Sequence, residues 1–521
     1  MSRIPTSEQA LCIKSLQDGA PVTIVSACAG SGKTSTLAMM AGAKAVPSLY
    51  LAFNKVTAKE AEEKFPGHVQ CSTTHSRAYA AYGAKLRDKL QRPTGGYVNV
   101  AGTASEIARY YKIEKVETMN GTYLSSAFIG LLVKGTVSNF EQSADDEITD
   151  KHVPKQDLYE KAKGEEWPFK ASVIKSIVKY AKTLWEDRTD RSSPVLATHD
   201  TYLKLFQLSK PVFKDVGVLY VDEFQDTTPC VLDIVLNQLG HMQVVVVGDA
   251  RQAIYGWRGA VNAMSSVSGS AYYLTKSFRY GPAIAHVATT VLEGSMEIKG
   301  HEPIQSVAGG FNVVDRTQPY TRIFRTNAGL LGAAVEEIVR GKRVNIEVDV
   351  KDFVRLLQSA QALYVGKMAD VKHEDLLAFK DWGELETEAA DNPDLGRVVR
   401  VIKSGDAPYW IKTLTSYVKP KVYDVTFTTA HKSKGREWDQ VVLEPDFKPP
   451  QAGVDAAVEE QNLLYVACTR AIHRLEYNAA VSAYFARSYA ENASGTERAE
   501  MAHVAVNQEL DAEAVETELE A

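Results

Sequence analysis

VTIVSACAGSGKTSTLAMMAGAKA, residues 22–45, is the stretch that decides the fold. Val22-Thr23-Ile24-Val25 reads as a short β-branched strand and Ser35–Ala45 as an Ala/Met/Leu helix, with small residues filling the turn between them. Ala27-Cys28-Ala29-Gly30-Ser31-Gly32-Lys33-Thr34 fits the G-x-x-x-x-G-K-[ST] phosphate loop, with Ala27 in place of the first glycine. Small side chains let backbone N–H groups wrap a β-phosphate, and the helix N-terminus adds its positive dipole. Lys33 can reach the β- and γ-phosphates of ATP, and the Thr34 hydroxyl can hold Mg²⁺. Ala27 through Ser35 are therefore the candidate nucleotide contacts. A flexible Gly/Ser turn would explain the small residues but not the strand and helix around them.

Two further strands end in polar groups. VLYVDEFQD, residues 218–226, is an apolar run closing on paired carboxylates. Asp222 is placed to bind Mg²⁺ through the waters that ion retains, and Glu223 to polarise or deprotonate an attacking water. VVVVGDARQAIYGWRGA, residues 244–260, reads as a buried parallel strand that turns at Gly248-Asp249. Gln252 follows as a neutral group able to contact a γ-phosphate. Tyr255, Trp257 and Arg258 come next, a cluster suited to stacking on nucleic-acid bases. An ordinary strand with a core Trp would account for the valines but not for that polar and aromatic cluster.

At 521 residues with 45% hydrophobic content, the chain is too long for one ordinary domain and rich enough for several cores. No run approaches the roughly 18 apolar residues of a membrane span. MSRIPTSEQAL lacks the apolar core of a secretory signal, so a cytoplasmic location is expected, whether the nucleoid or a phage host's cytoplasm. Cys12, Cys28, Cys71, Cys230 and Cys468 show no C-x-x-C pairing and read as reduced thiols. The net charge of −6 looks wrong for a nucleic-acid binder, but six unpaired acids lie between Glu509 and Ala521. Without them the body is neutral overall, and binding depends on local charge. The phosphate loop and the acidic strand lie about 190 residues apart, more than a compact α/β domain needs. The intervening residues are helical in pattern, as in Ala171–Trp185. Strands are expected again at 320–324 and 422–427. The Asp200 carboxylate is expected to cap the helix that follows it.

With these residues in place, the chain resembles the superfamily 1 DNA helicases of the UvrD/Rep/PcrA type, motif by motif up to about Leu475. Gln9 fits their adenine-reading glutamine. Phe53-Asn54-Lys55 and Thr73-Thr74-His75-Ser76 look like two DNA-contacting motifs. Lys276-Ser277-Phe278-Arg279-Tyr280 is similar to the motif carrying an adenine-stacking aromatic, here Phe278 where Tyr is usual, and an arginine finger, Arg279. TTAHKSKGREWD, residues 428–439, resembles the motif whose glutamate, Glu437, contacts the ribose, and it places His431 as a DNA-contact candidate. EEQNLLYVACTR, residues 459–470, resembles the motif ending in a second arginine finger, Arg470. His199–Leu205 and Phe53–Lys55 are most similar to the F-box DNA helicase branch, although no F-box module is expected.

The resemblance implies an α/β chain of two RecA-like P-loop NTPase domains. Residues 1–85 and 211–283 would form the first and 86–210 a helical insertion in it. Residues 284–343 and 420–490 would form the second, 344–419 a small insertion in it, and 491–521 an acidic tail. It implies ATP and Mg²⁺ as cofactors, single-stranded DNA and duplex junctions as partners, no membrane, and 3′→5′ movement with duplex unwinding. Lys33, Asp222, Glu223, Gln252, Arg279 and Arg470 would carry the catalysis. A DNA-stimulated ATPase that remodels protein–DNA filaments with little unwinding is the alternative. A helicase–nuclease fusion is not expected, because no acidic metal cluster follows Leu475.

Overall fold

The computed structural model describes residues 4–90, 102–117, 123–154, 167–254, 263–377, 379, 381–389, 393–449 and 455–492. Its fold is α/β, with two parallel sheets in two compact units.

In the first unit the chain runs through β1 (Val22–Ala27), β2 (Ser48–Ala52) and β3 (Val69–Thr73). A short antiparallel pair follows, β4 (Val116–Glu117) and β5 (Tyr123–Leu124), and then β6 (Val218–Val221), β7 (Gln243–Gly248) and β8 (Ser270–Leu274). The six-stranded sheet has the order β3-β2-β6-β7-β1-β8, every neighbour parallel. Parallel sheets are covered on both faces, so their strands are apolar throughout rather than alternating. Val244 and Val246 join one core with Leu49, Leu51, Leu219 and Val221. Val245 and Val247 join the other, with Val25, Tyr50, Val218 and Tyr220.

Between β3 and β6 the chain builds a helical subdomain from Ala104–Tyr110, Ser126–Gln142, Trp167–Thr189 and His199–Leu208. It has a core of its own, centred on Ile107, Phe128, Leu132, Val137, Ile177 and Leu184. Thr198, not Asp200, caps the last of these helices: its hydroxyl accepts from Thr201 N and Thr201 Oγ1 accepts from Thr198 N, a closed capping box. Asp200 sits two positions past the cap, inside the first turn.

The second unit holds β9 (Val307–Gly309), β10 (Tyr320–Phe324), β11 (Val344–Ile346), β12 (Val425–Thr429), β13 (Trp438–Leu443) and β14 (Ala471–Glu476). Its order is β11-β12-β10-β13-β14-β9, again all parallel. The strand expected at 422–427 begins only at Val425 and runs to Thr429.

The compact units divide the chain differently from the sequence boundaries. Met1–Leu274 and Asp349–Val418 cluster together, as do Thr275–Val348 and Lys419–Ala521. Phe278 and Arg279 thus belong to the second unit, although the boundary expected at residue 283 put them in the first. Val344–Ile346, expected in the small insertion, is a strand of the second sheet. The insertion itself is helical (Val350–Tyr364, Trp382–Ala389, Pro393–Lys403, Ala407–Thr415). It interrupts the second sheet in sequence, yet its Glu374 pairs with Lys134 of the helical subdomain at 2.6 Å. Among the described residues, no helix is long and apolar enough to cross a membrane.

Candidate nucleotide-binding site

At the C-terminal end of β1 the chain turns through Gly30 and Gly32, whose φ angles of 77° and 81° lie in the left-handed region that favours glycine. The helix Lys33–Ala43 starts at once, so the last turn of the loop is also a helix N-terminus. Ser31 Oγ donates to Cys28 O at 2.8 Å and ties the loop across its base. Burial pushes the Cys28 thiol up to about 12, so it serves as a small neutral wall.

β6 lies two strands from β1 in the same sheet and delivers its carboxylates to this loop. Thr34 Oγ1 donates to Asp222 Oδ2 at 2.8 Å, and Tyr50 OH, from β2, donates to the same oxygen at 2.7 Å. Lys33 Nζ pairs with Glu223 Oε2 at 3.0 Å. Burial, then the neighbouring Glu223 carboxylate, raises the Asp222 pKa; Lys33 and the two hydroxyl donors oppose that rise. Desolvation works to lower the Lys33 pKa, but Glu223, Asp249 and Asp222 outweigh it, so the ammonium stays charged. Thr34 Oγ1 and the Asp222 carboxylate are hard oxygen donors side by side, a set that suits Mg²⁺. Glu223 itself has φ 51°, uncommon for a side chain with a Cβ, and this backbone turns its carboxylate onto Lys33.

Gln225, which sequence reasoning did not single out, knots the strand ends together. Its Nε2 donates to Glu223 Oε2 at 2.8 Å and Asp226 Oδ2 at 2.9 Å, and its Oε1 accepts from Asp249 N at 2.9 Å. Gln252 Nε2 donates to Asp249 Oδ2 at 2.7 Å, so Gln252 hangs from the same knot. A Cβ on Gly248 would meet Gln225 Oε1 at 2.5 Å, so this close approach needs glycine. The Gly248-Asp249 turn was the legible signal; Gln225 lay unremarked within the quoted acidic motif. Tyr50 was missed because a strand tyrosine reads as core.

Gln9 is buried: its Oε1 accepts from Thr6 N in a capping box, and its Nε2 donates to Thr36 Oγ1 at 3.0 Å. Phe53, Asn54 and Lys55 follow β2, Thr73 ends β3 and His75 follows it, all at the C-terminal edge of the sheet. The Asn54 and Thr73 side chains cap helices, accepting from Thr57 N and Ser76 N. Phe53 is 51% exposed, and His75 Nε2 lies 3.1 Å from Asp200 Oδ1. Tyr255, Trp257 and Arg258 lie outside the described residues.

In the second unit, Arg279 Nε donates to Glu437 Oε2 at 2.6 Å and Arg279 Nη1 to Thr469 O at 3.2 Å. Arg470 is only 1% exposed; its guanidinium donates to Val466 O, Arg436 O and Thr469 Oγ1. These three residues meet around the starts of β13 and β14, with exposed Phe278 next to Arg279. His431 stands apart, beyond the C-terminal end of β12.

The family model of the UvrD/REP helicase N-terminal domain matches residues 7–268, and that of the UvrD-like helicase C-terminal domain matches 424–475. The chain belongs to the UvrD/Rep helicase family. Within it, F-box DNA helicase 1 of Gallus gallus is 30% identical over 504 residues, 89% of this chain and 48% of that protein. F-box DNA helicase protein 1 of Schizosaccharomyces pombe is 31% identical over 527 residues, 92% of this chain and 58% of that protein. ATP-dependent DNA helicase srs2 of the same yeast is 26% identical over 157 residues, 28% of this chain and 16% of that protein. This UvrD/Rep-family chain spans about half the length of the curated relatives it matches.

Proposed function

We propose that this chain is an ATP-dependent DNA helicase that moves 3′→5′ on single-stranded DNA and opens duplex junctions. The observation that carries the reading is the meeting of Lys33 with Glu223, and of Thr34 with Asp222, at the ends of two parallel strands of one sheet, with β7 between them. Thr34 and Asp222 would hold Mg²⁺, which supplies charge neutralisation at the phosphates. Lys33 neutralises the β- and γ-phosphates, while Glu223 takes the proton from the attacking water. Gln252 contacts the γ-phosphate, and its bond to Asp249 ties that contact to the segment leading to Tyr255, Trp257 and Arg258. Arg279 and Arg470 act as arginine fingers, with Phe278 on the adenine and Glu437 on the ribose. Phe53, Lys55, His75 and His431 line the path of the DNA, and Asn54 and Thr73 shape it through the helices they cap. Phosphate contact and stacking dominate such binding, so sequence preference is weak. The relatives' names, all DNA helicases, support this reading. The direction of movement rests on family resemblance.

Unwinding of matched substrates bearing 3′ or 5′ overhangs tests it. ATP-dependent displacement from the 3′ overhang alone is expected. Displacement from the 5′ overhang alone overturns the polarity, and ATP turnover without displacement overturns the unwinding.

A further inference from the structure

The motif His199–Leu205 has no part in the chemistry above, yet it leads from a buried charge to the proposed DNA path. Glu141 is 2% exposed and Arg188 3%, an ion pair inside the helical subdomain. Arg188 Nη1 donates to both Glu141 oxygens, at 3.1 and 3.2 Å. The same carboxylate accepts from Thr201 Oγ1 at 2.6 Å and Thr198 Oγ1 at 3.2 Å, the two hydroxyls of the capping box that starts the helix His199–Leu208. Two side chains of that first turn hold His75. Asp200 Oδ1 lies 3.1 Å from its Nε2, and the Tyr202 ring meets it edge-on at 6.2 Å. Tyr202 is itself fixed, its hydroxyl 2.9 Å from His199 Nδ1 and its ring edge-on to Tyr79.

We infer that Glu141 is a positioning residue for DNA binding: locked by Arg188, it sets the first turn of the helix His199–Leu208, and through Asp200 and Tyr202 it fixes the His75 imidazole. Both Glu141 oxygens are occupied, although Arg188 Nε is buried without a hydrogen-bond partner among the described residues, and a shift of the carboxylate would strand further desolvated polar groups. The inserted subdomain thereby holds one side of the DNA path from behind. This rests on the reading of His75 as a DNA contact.

Single-stranded oligonucleotide is titrated into the full chain, and the concentration giving half-maximal stimulation of ATP turnover is measured. The variants are His75→Ala, Asp200→Asn, the apolar replacement Glu141→Leu with Arg188→Met, and that replacement combined with His75→Ala. Exchanging both members of a buried pair for apolar groups preserves stability in many proteins, and Asp200 is partly exposed, so at least one arm stays folded. The Glu141/Arg188 replacement is expected to raise the half-stimulating concentration about tenfold, a shift worth about 1.4 kcal/mol, with basal turnover unchanged. Asp200→Asn shifts it in the same direction, and adding His75→Ala shifts it no further. No shift in His75→Ala removes His75 from the DNA path and takes this inference with it. A shift in His75→Ala with none in the Glu141/Arg188 replacement overturns the inference alone, as does full additivity of the two.

Discussion

Two six-stranded parallel sheets of different strand order carry most of their candidate groups at opposite strand ends. In the first, most candidate groups follow a strand: the phosphate loop after β1, Asp222 after β6, Gln252 after β7, Phe53 after β2 and His75 after β3, while Gln9 lies in the helix before β1. In the second, Glu437 and Arg470 immediately precede β13 and β14, and only His431 follows a strand. C-terminal strand ends are where open α/β sheets bind ligands, because loops diverge there and helix N-termini point in. The two cations expected at the phosphates differ accordingly. Lys33 faces a carboxylate, a charge partner that phosphate oxygens can replace like for like. Arg470 donates to backbone carbonyls, neutral acceptors built into its own fold. A lysine at a strand's C-terminal end is a binding group first, whereas this arginine is structural as well.

Replacing each cation sharpens that contrast. Lys33→Ala is expected to lower ATP turnover by more than about 10³-fold, beyond the cost of one neutral donor, while leaving oligonucleotide anisotropy and Tm close to those of the parent. Retained turnover would mean that the phosphate site is misassigned. Arg470→Ala is expected to cost about 10³–10⁵ in kcat, with less effect on ATP affinity. It should also lower Tm, since each carbonyl left buried and unpaired costs about 1–3 kcal/mol. A fall in Tm with kcat intact would make Arg470 purely structural.

The first sheet was far more legible in the sequence than the second, and the physical reason lies in its turns. Val22–Ser35 and Val244–Asp249 each carry a strand, a glycine-bearing break and polar groups in one short window, so chemistry and local geometry coincide. Tyr50 carries no such mark. Its partner Asp222 is 172 positions away, and only the pairing of β2 with β6 brings them together. Asp200 misled because Asp is the stronger cap by type, but Thr198, two residues earlier, holds the position just before the helix. The helices of Asp349–Val418 were obscured by the charge of that stretch.

Gly248→Ala probes the knot that sets the first sheet apart. The new Cβ would stand 2.5 Å from Gln225 Oε1 and 2.9 Å from Met264 Sδ, so Gln225 must move. Overpacking of this kind costs about 1–3 kcal/mol. Because Gln225 holds both Glu223 and the turn bearing Gln252, kcat should fall by up to about 10²-fold with little change in ATP affinity. Unchanged kcat in a variant of lowered Tm would confine Gln225 to stability.

The smallest effect is expected from Tyr50→Phe, and its sign follows from the balance at Asp222. Burial drives the Asp222 pKa upward, and the Tyr50 hydroxyl is one of the donors that restrain it. Burial also lifts the Tyr50 phenol well above its ordinary range, so that hydroxyl stays protonated and always donates. Removing it leaves the upward push less opposed, and Asp222 takes up its proton at higher pH. Protonated Asp222 cannot serve a cation, so the acid limb of the kcat/KM profile should move toward neutral pH while the plateau stays in place. Thr34 keeps its bond to the same oxygen and limits the size of the shift. An acid limb that stays where it was would mean that another group governs it, and that Asp222 remains ionised on the strength of Lys33 and Thr34 alone.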